Sequence, residues 1–266
     1  LWFRFADASR RRRAGWLLGF GLGVALLLLP VGARNYAVGR TFALTTSQLG
    51  PNFYMGNNAE ATGLYVPLIP GRHTPLYEAG DAELLAERAL GRPLTRGEVS
   101  DYWLQRGLDF AREQPLRWLA LLAWKLALTW NEFEIADVED IHVYAEWSLL
   151  LRAGLQVLHF GLLAPLAILG GVLLWPRRRD FWLLPWLALV YSLSVALFIT
   201  FARFRCPLAP ILLPLAAVAC VRAFDLSKSG RWAELRTPGL VFAACLVCFN
   251  LPLLDEERLR LTSYTN

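Results

Sequence analysis

Methionine occurs once in these 266 residues, histidine three times and cysteine four times, and each scarcity excludes something. The single methionine is Met55 and the chain opens on Leu1, so the sequence is expected to be part of a longer protein. His73, His142 and His159 share no helix-face spacing with one another or with a cysteine, so no metal-ligand pattern is present. No cofactor is indicated by the sequence, a divalent metal included. Cys220, Cys245 and Cys248 lie inside apolar runs and Cys206 at the edge of one, which gives no disulfide framework. The C-x-x-C spacing of Cys245 and Cys248 has no second pair to complete a zinc site. A G-x-S-x-G nucleophile elbow is lacking, as are fixed-period repeats and low-complexity tracts. The glycines of Gly19-Phe20-Gly21-Leu22-Gly23 follow no strand, so they are read as helix packing rather than a dinucleotide fingerprint.

What is abundant is apolar surface. A hydrophobic content of 56%, 11 tryptophans and a mean hydropathy of +0.37 place the chain among membrane proteins, not soluble globules. The net charge of +5 is not read as a nucleic-acid footprint, because the arginines cluster at Arg10 to Arg13, Arg177 to Arg179 and Arg222 to Arg236, beside apolar segments. Those segments are Gly15 to Ala33, Leu116 to Trp130, Leu149 to Trp175, Phe181 to Phe201, Pro207 to Phe224 and Gly239 to Leu254. Most reach the roughly 18 to 25 residues needed to cross a bilayer. Leu116 to Trp130 is shorter and carries Arg117 and Lys125, an expensive pair at mid-membrane.

Counting all six as spans puts Arg177 to Arg179 opposite Arg10 to Arg13, against the positive-inside rule. Laying Leu116 to Trp130 in the outer interface returns every arginine cluster to the cytoplasmic side. The expected fold is therefore mainly α: a polytopic inner-membrane protein with about five transmembrane helices, one interfacial helix and an α-rich outer insert. Residues 1–33 form the cytoplasmic flank and first span, 34–148 the outer insert with interfacial helix 116–130, 149–254 a four-span bundle, and 255–266 an outer tail. Within the insert, Val38 to Thr46 alternates like a strand, Gly63 to Gly80 reads as loop, and Asp81 to Leu90 and Thr95 to Gln114 have helical periodicity. Thr95-Arg-Gly-Glu98 has capping-box spacing, and Pro115 ends the second helix.

Three outer-face groups carry candidate chemistry. Asn52-Phe53-Tyr54-Met55-Gly56-Asn57-Asn58 is uncharged and mixes amides with aromatics, as sugar recognition requires; the simpler reading is a capped turn. Trp130-Asn131-Glu132-Phe133-Glu134 follows Lys125 at headgroup level, with an ordinary aromatic belt as the alternative. Arg203-Phe204-Arg205-Cys206-Pro207 places two guanidiniums at an outer helix end, where a lipid phosphate would justify them.

Taken in order, Arg34-Asn35-Tyr36, the Asn52 to Asn58 run, Tyr102-Trp103, Pro115, Lys125 with Trp130-Asn131 and Glu134, and Arg203-Phe204-Arg205-x-Pro207 resemble the later part of a GT-C glycosyltransferase of the protein-mannosyltransferase-like group, which includes the aminoarabinose transferases. Members usually carry Arg-Tyr-Arg at the last motif, so Phe204 is a departure. The resemblance implies transfer of a sugar from a polyprenyl-phosphate donor to an acceptor on the extracytoplasmic face. It implies donor-phosphate binding by Lys125, Arg203 and Arg205, and sugar or acceptor contacts by Asn52, Tyr54, Asn57, Asn58, Trp130, Asn131 and Glu134. Glu60 and Asp101 are further candidates for such contacts. The catalytic carboxylate is expected upstream of Leu1, leaving this portion inactive alone, with the donor and membrane lipids as partners and no nucleic acid. The tail Leu259 to Asn266 resembles the lead into a tetratricopeptide repeat. The rival readings are a noncatalytic outer-face binding module and half of a transporter or flippase.

Overall fold

The computed structural model describes residues 9–39, 42–44, 46–72, 74–137, 139–177 and 181–255. His73, Arg178, Arg179 and the tail 256–266 lie outside them. Among the described residues the chain is mainly helical and has no strand. Four helical stretches are long and apolar enough to cross a membrane: Arg10–Gly39, Leu149–Leu173, Leu208–Lys228 and Trp232–Phe249. The fifth expected span contributes a shorter apolar helix, Leu183–Ala196. Its 14 residues rise about 21 Å, less than the roughly 30 Å of a hydrocarbon core.

Contacts divide the chain into two compact units, 1–54 with 67–109 and 55–66 with 110–266. In the first, α1 (Arg10–Gly39) runs through Pro30 and past the expected end of the span. Among the described residues of Val38 to Thr46 no strand is formed. Val38 and Gly39 close α1, and the chain then folds back so that Phe42 and Leu44 pack over Gly32 while Asn35 Nδ2 donates to Ala43 O at 2.7 Å. A side chain at Gly32 would collide with Phe42. A strand needs a partner edge, and none is present among the described residues.

The rest of this unit is a small helical core. Helix α3 (Pro75–Leu90) starts six residues before the expected Asp81, inside the stretch read as loop. Pro75 opens it because the first helical position needs no amide hydrogen. Gly91 then stops it in the left-handed region at φ 69°, donating to Glu87 O. Helix α4 (Arg96–Glu113) begins with the expected capping box. Glu98 Oε2 accepts from Thr95 N and Thr95 Oγ1, both at 2.8 Å, and Glu98 N donates to Thr95 Oγ1 at 3.4 Å. The Arg92 guanidinium, with the Thr95 amide and hydroxyl, lowers the Glu98 carboxyl to about 2. Ala82, Ala86, Leu94, Val99 and Trp103 are buried together, with the Trp103 indole donating to Ala82 O at 3.0 Å.

Helix α2 (Leu49–Gly56) was not foreseen: its uncharged run reads as a turn. In the second unit, α5 (Pro115–Trp130) leads through an irregular segment to α6 (Ile141–Trp147) and α7 (Leu149–Val157). A break at Leu158-His159 separates α7 from α8 (Phe160–Leu173), so the 25-residue apolar stretch is not one straight rod. Then follow α9 (Leu183–Ala196), the single turn α10 (Ala202–Arg205), α11 (Leu208–Lys228) and α12 (Arg236–Phe249). Helix α8 packs against α11 and α12, and α9 against α5 and α11. The core between them buries Phe160, Ala164, Ala167, Ala188, Leu208 and Leu212. Small residues set the spacing: a Cβ on Gly170 would come within 1.9 Å of Leu215 O, so α8 and α11 meet backbone to backbone there.

Candidate functional site

Two buried cations organise the second unit. Lys125 is fully buried on α5, where its Nζ donates to Gly56 O at 2.8 Å, Phe198 O at 3.0 Å and Asn57 Oδ1 at 3.4 Å. An ammonium has three protons, and these three oxygens accept them. Burial pushes the amine down to about 8. No carboxylate is among these partners. Asn57, also fully buried, closes the cage: its Nδ2 donates to Leu197 O at 2.7 Å and its Oδ1 also accepts from the Trp118 indole at 2.9 Å. Gly56 leaves no room for a side chain, since a Cβ there would sit 2.3 Å from Phe198 O.

The segment after α9 is thereby suspended on two sides. Thr200 N donates to Gly63 O at 3.0 Å, and Ala202 N donates to Ile135 O at 2.9 Å. It delivers Arg205, 3% exposed, to the second cation site. Arg205 Nη1 donates to Asn131 O, and Nη2 donates to Glu132 O at 3.1 Å and Phe133 O at 2.8 Å. Nη2 also pairs with Glu134 Oε1 at 2.6 Å. The guanidinium lies over the Phe160 ring, 4.8 Å from its centroid. Its Nε has no hydrogen-bond partner although it is buried.

Arg205 and Glu134 form the polar end of a cavity of about 460 Å³. His159 joins them at the α7–α8 break, its Nδ1 3.7 Å from Glu132 Oε2 and without a hydrogen bond. Beyond this end the walls are apolar, formed by residues such as Phe160, Leu163 and Leu166 of α8 and Ala209, Leu213 and Ala216 of α11. The space is a trough with one polar pole, between two helices long and apolar enough to cross a membrane once α7 is counted with α8.

The residues singled out by sequence distribute unevenly over this geometry. Glu134 and Arg205 meet at the trough; Lys125 and Asn57 meet in the cage. Arg203 is 61% exposed at its side chain, pairs with Asp137 at 2.7 Å and lies over the Phe204 ring. Asn131 serves the frame: its Nδ2 donates to Phe249 O and Leu251 O, and its Oδ1 accepts from Phe133 N. Trp130 donates to Ser192 Oγ at 3.1 Å and packs on Phe160 and Phe249. Asn58 Oδ1 accepts from Glu60 N at 2.8 Å, the local turn bond that the simpler reading anticipates. Asn52 and Tyr54 belong to the first unit, where the Tyr54 ring packs against Trp103 with centroids 4.7 Å apart and planes tilted by 45°. Glu60 and Asp101 are exposed. His159 was missed as a site residue, although a histidine within an apolar run is itself a signal.

Among the described residues no group of three or more His, Cys, Asp or Glu is placed to hold a metal ion. Comparison with family models, curated proteins and solved structures finds no match in any of the three.

Proposed function

We propose that the chain is the lipid-holding part of a membrane glycosyltransferase that takes its sugar from a polyprenyl-phosphate donor on the extracytoplasmic face. The observation that carries this reading is the trough between α8 and α11, apolar along its length and polar at the Arg205, Glu134 and His159 end. An isoprenoid or acyl chain gains by leaving water for such walls, and a headgroup rich in acceptors gains at a guanidinium. Five spans, with α9 as the short one and α5 in the outer interface, bring Arg205 to the outer headgroup level. On this reading Lys125 and Asn57 hold the frame and Arg203 stands at the exposed rim.

The test is binding of a polyprenyl phosphate to the chain in neutral detergent, with Leu213→Trp filling the trough. The expected result is saturable binding that Leu213→Trp weakens at least about tenfold, equivalent to 1.4 kcal/mol. Equal binding by both proteins removes the trough from the function. A noncatalytic lipid-binding module is the second reading, favoured because the carboxylate at the trough, Glu134, is paired with Arg205. An assay of sugar transfer from a polyprenyl-phosphate donor separates the two: transfer supports the enzyme, and binding without transfer supports the module.

A further inference from the structure

We infer that Glu134 is a displaceable latch, standing in at Arg205 for the anionic headgroup of a trough-bound amphiphile. The inference rests on the lipid-holding reading of the trough and adds how its polar end selects a ligand. Three acceptors crowd Arg205 Nη2 within 3.1 Å: Glu132 O, Phe133 O and Glu134 Oε1. That nitrogen carries two protons, while the neighbouring Nε carries one that no acceptor takes. Both Nη2 protons go to the carbonyls of Glu132 and Phe133, and Glu134 Oε1 stands beside Nη2 as an ion pair, off the line of either N–H. The Nε proton is the one an incoming anion can take.

Of the four groups on the guanidinium, only Glu134 can leave. The other three are main-chain carbonyls of Asn131, Glu132 and Phe133, and their segment is tied down by Asn131 Nδ2 on Phe249 O and Leu251 O and by Glu132 N on Phe249 O. Arg205 therefore stays in place when its carboxylate partner goes. Glu134 is a side chain 23% exposed, with solvent within reach. Removing it alone would strand a buried charge, which is costly. Exchange for another anion avoids that cost and satisfies the idle Nε. An alcohol headgroup brings no charge and cannot make the exchange, so the latch discriminates by headgroup charge while the apolar walls accept the chain.

The experiment compares farnesyl phosphate with farnesol on the full chain in neutral detergent, reading affinity and ligand-induced melting shift for wild type, Glu134→Gln and Glu134→Ala. Wild type is expected to bind farnesyl phosphate more tightly than farnesol. Both variants should melt below wild type without ligand, bind farnesyl phosphate on the order of tenfold tighter, and show a larger melting shift with the phosphate only. A merely structural role for Glu134 would lower the melting temperature without this selective rescue. Unchanged or weaker phosphate binding in both variants, with wild type still binding, overturns the latch and leaves the trough reading intact. Wild type binding the two probes equally, or neither, overturns both.

Discussion

Lys125 and Arg205 are buried cations of the same unit, 0% and 3% exposed, yet they are solved differently. Among the described residues Lys125 donates to uncharged oxygens, whereas Arg205 meets three carbonyls and a carboxylate and borders a cavity. A closed cage of carbonyls fixes chain segments. A carboxylate partner at a cavity wall can be exchanged. Burial alone therefore does not mark a ligand site: what distinguishes the two is whether a partner can leave without breaking the frame.

The sharpest way to break the contrast is Lys125→Ala. It removes the buried donor to Gly56 O and Phe198 O and leaves a void, so about 3 to 5 kcal/mol of stability should go, seen as a collapse of melting temperature in detergent. Retained melting would mean the cage fixes nothing. Gly56→Ala follows, with a Cβ 2.3 Å from Phe198 O and an expected loss of about 1 to 3 kcal/mol from overpacking.

A smaller effect separates the cations by pH. The folded-state amine of Lys125 lies at about 8, below its ordinary value of 10.5. The unfolded chain thus holds the proton longer, and Lys125 should add stability as pH rises from about 8 to about 10.5, with no change from this group below 8. The difference in melting temperature between wild type and Lys125→Met, followed across that window, should grow; a flat difference would contradict the buried amine. Smallest of all should be Arg203→Ala. Its pair with Asp137 is largely solvent-screened, so a loss of about 0.5 kcal/mol or less is expected by the same melting assay. A large loss would place Arg203 with the frame rather than the rim.

Hydropathy made the long apolar helices legible, and Thr95-Arg-Gly-Glu98 announced the start of α4 because a capping box is a local device. The α2 helix was not legible: Asn, Gly and Pro read as turn, and its helical state coincides with packing that sequence does not display, such as Gly50 N on Ser100 Oγ at 3.1 Å. The cage was hidden for the same reason. Asn57 bonds Leu197, 140 residues away, and no local pattern encodes that. Glu134 follows Lys125 closely in sequence, whereas its partner is Arg205. The residue was found and its pairing was not, since composition marks chemistry while only the tertiary fold chooses who meets whom.

Gly170 extends this to the shape of the trough. Its missing side chain lets α8 and α11 meet backbone to backbone at that level, so it sets how closely the two walls stand there. A methyl group at Gly170 would push against Leu215 O and change the aperture for a lipid tail without touching Arg205. Chain selectivity could then drift through one small residue while headgroup selectivity stayed put, allowing the two to be tuned independently.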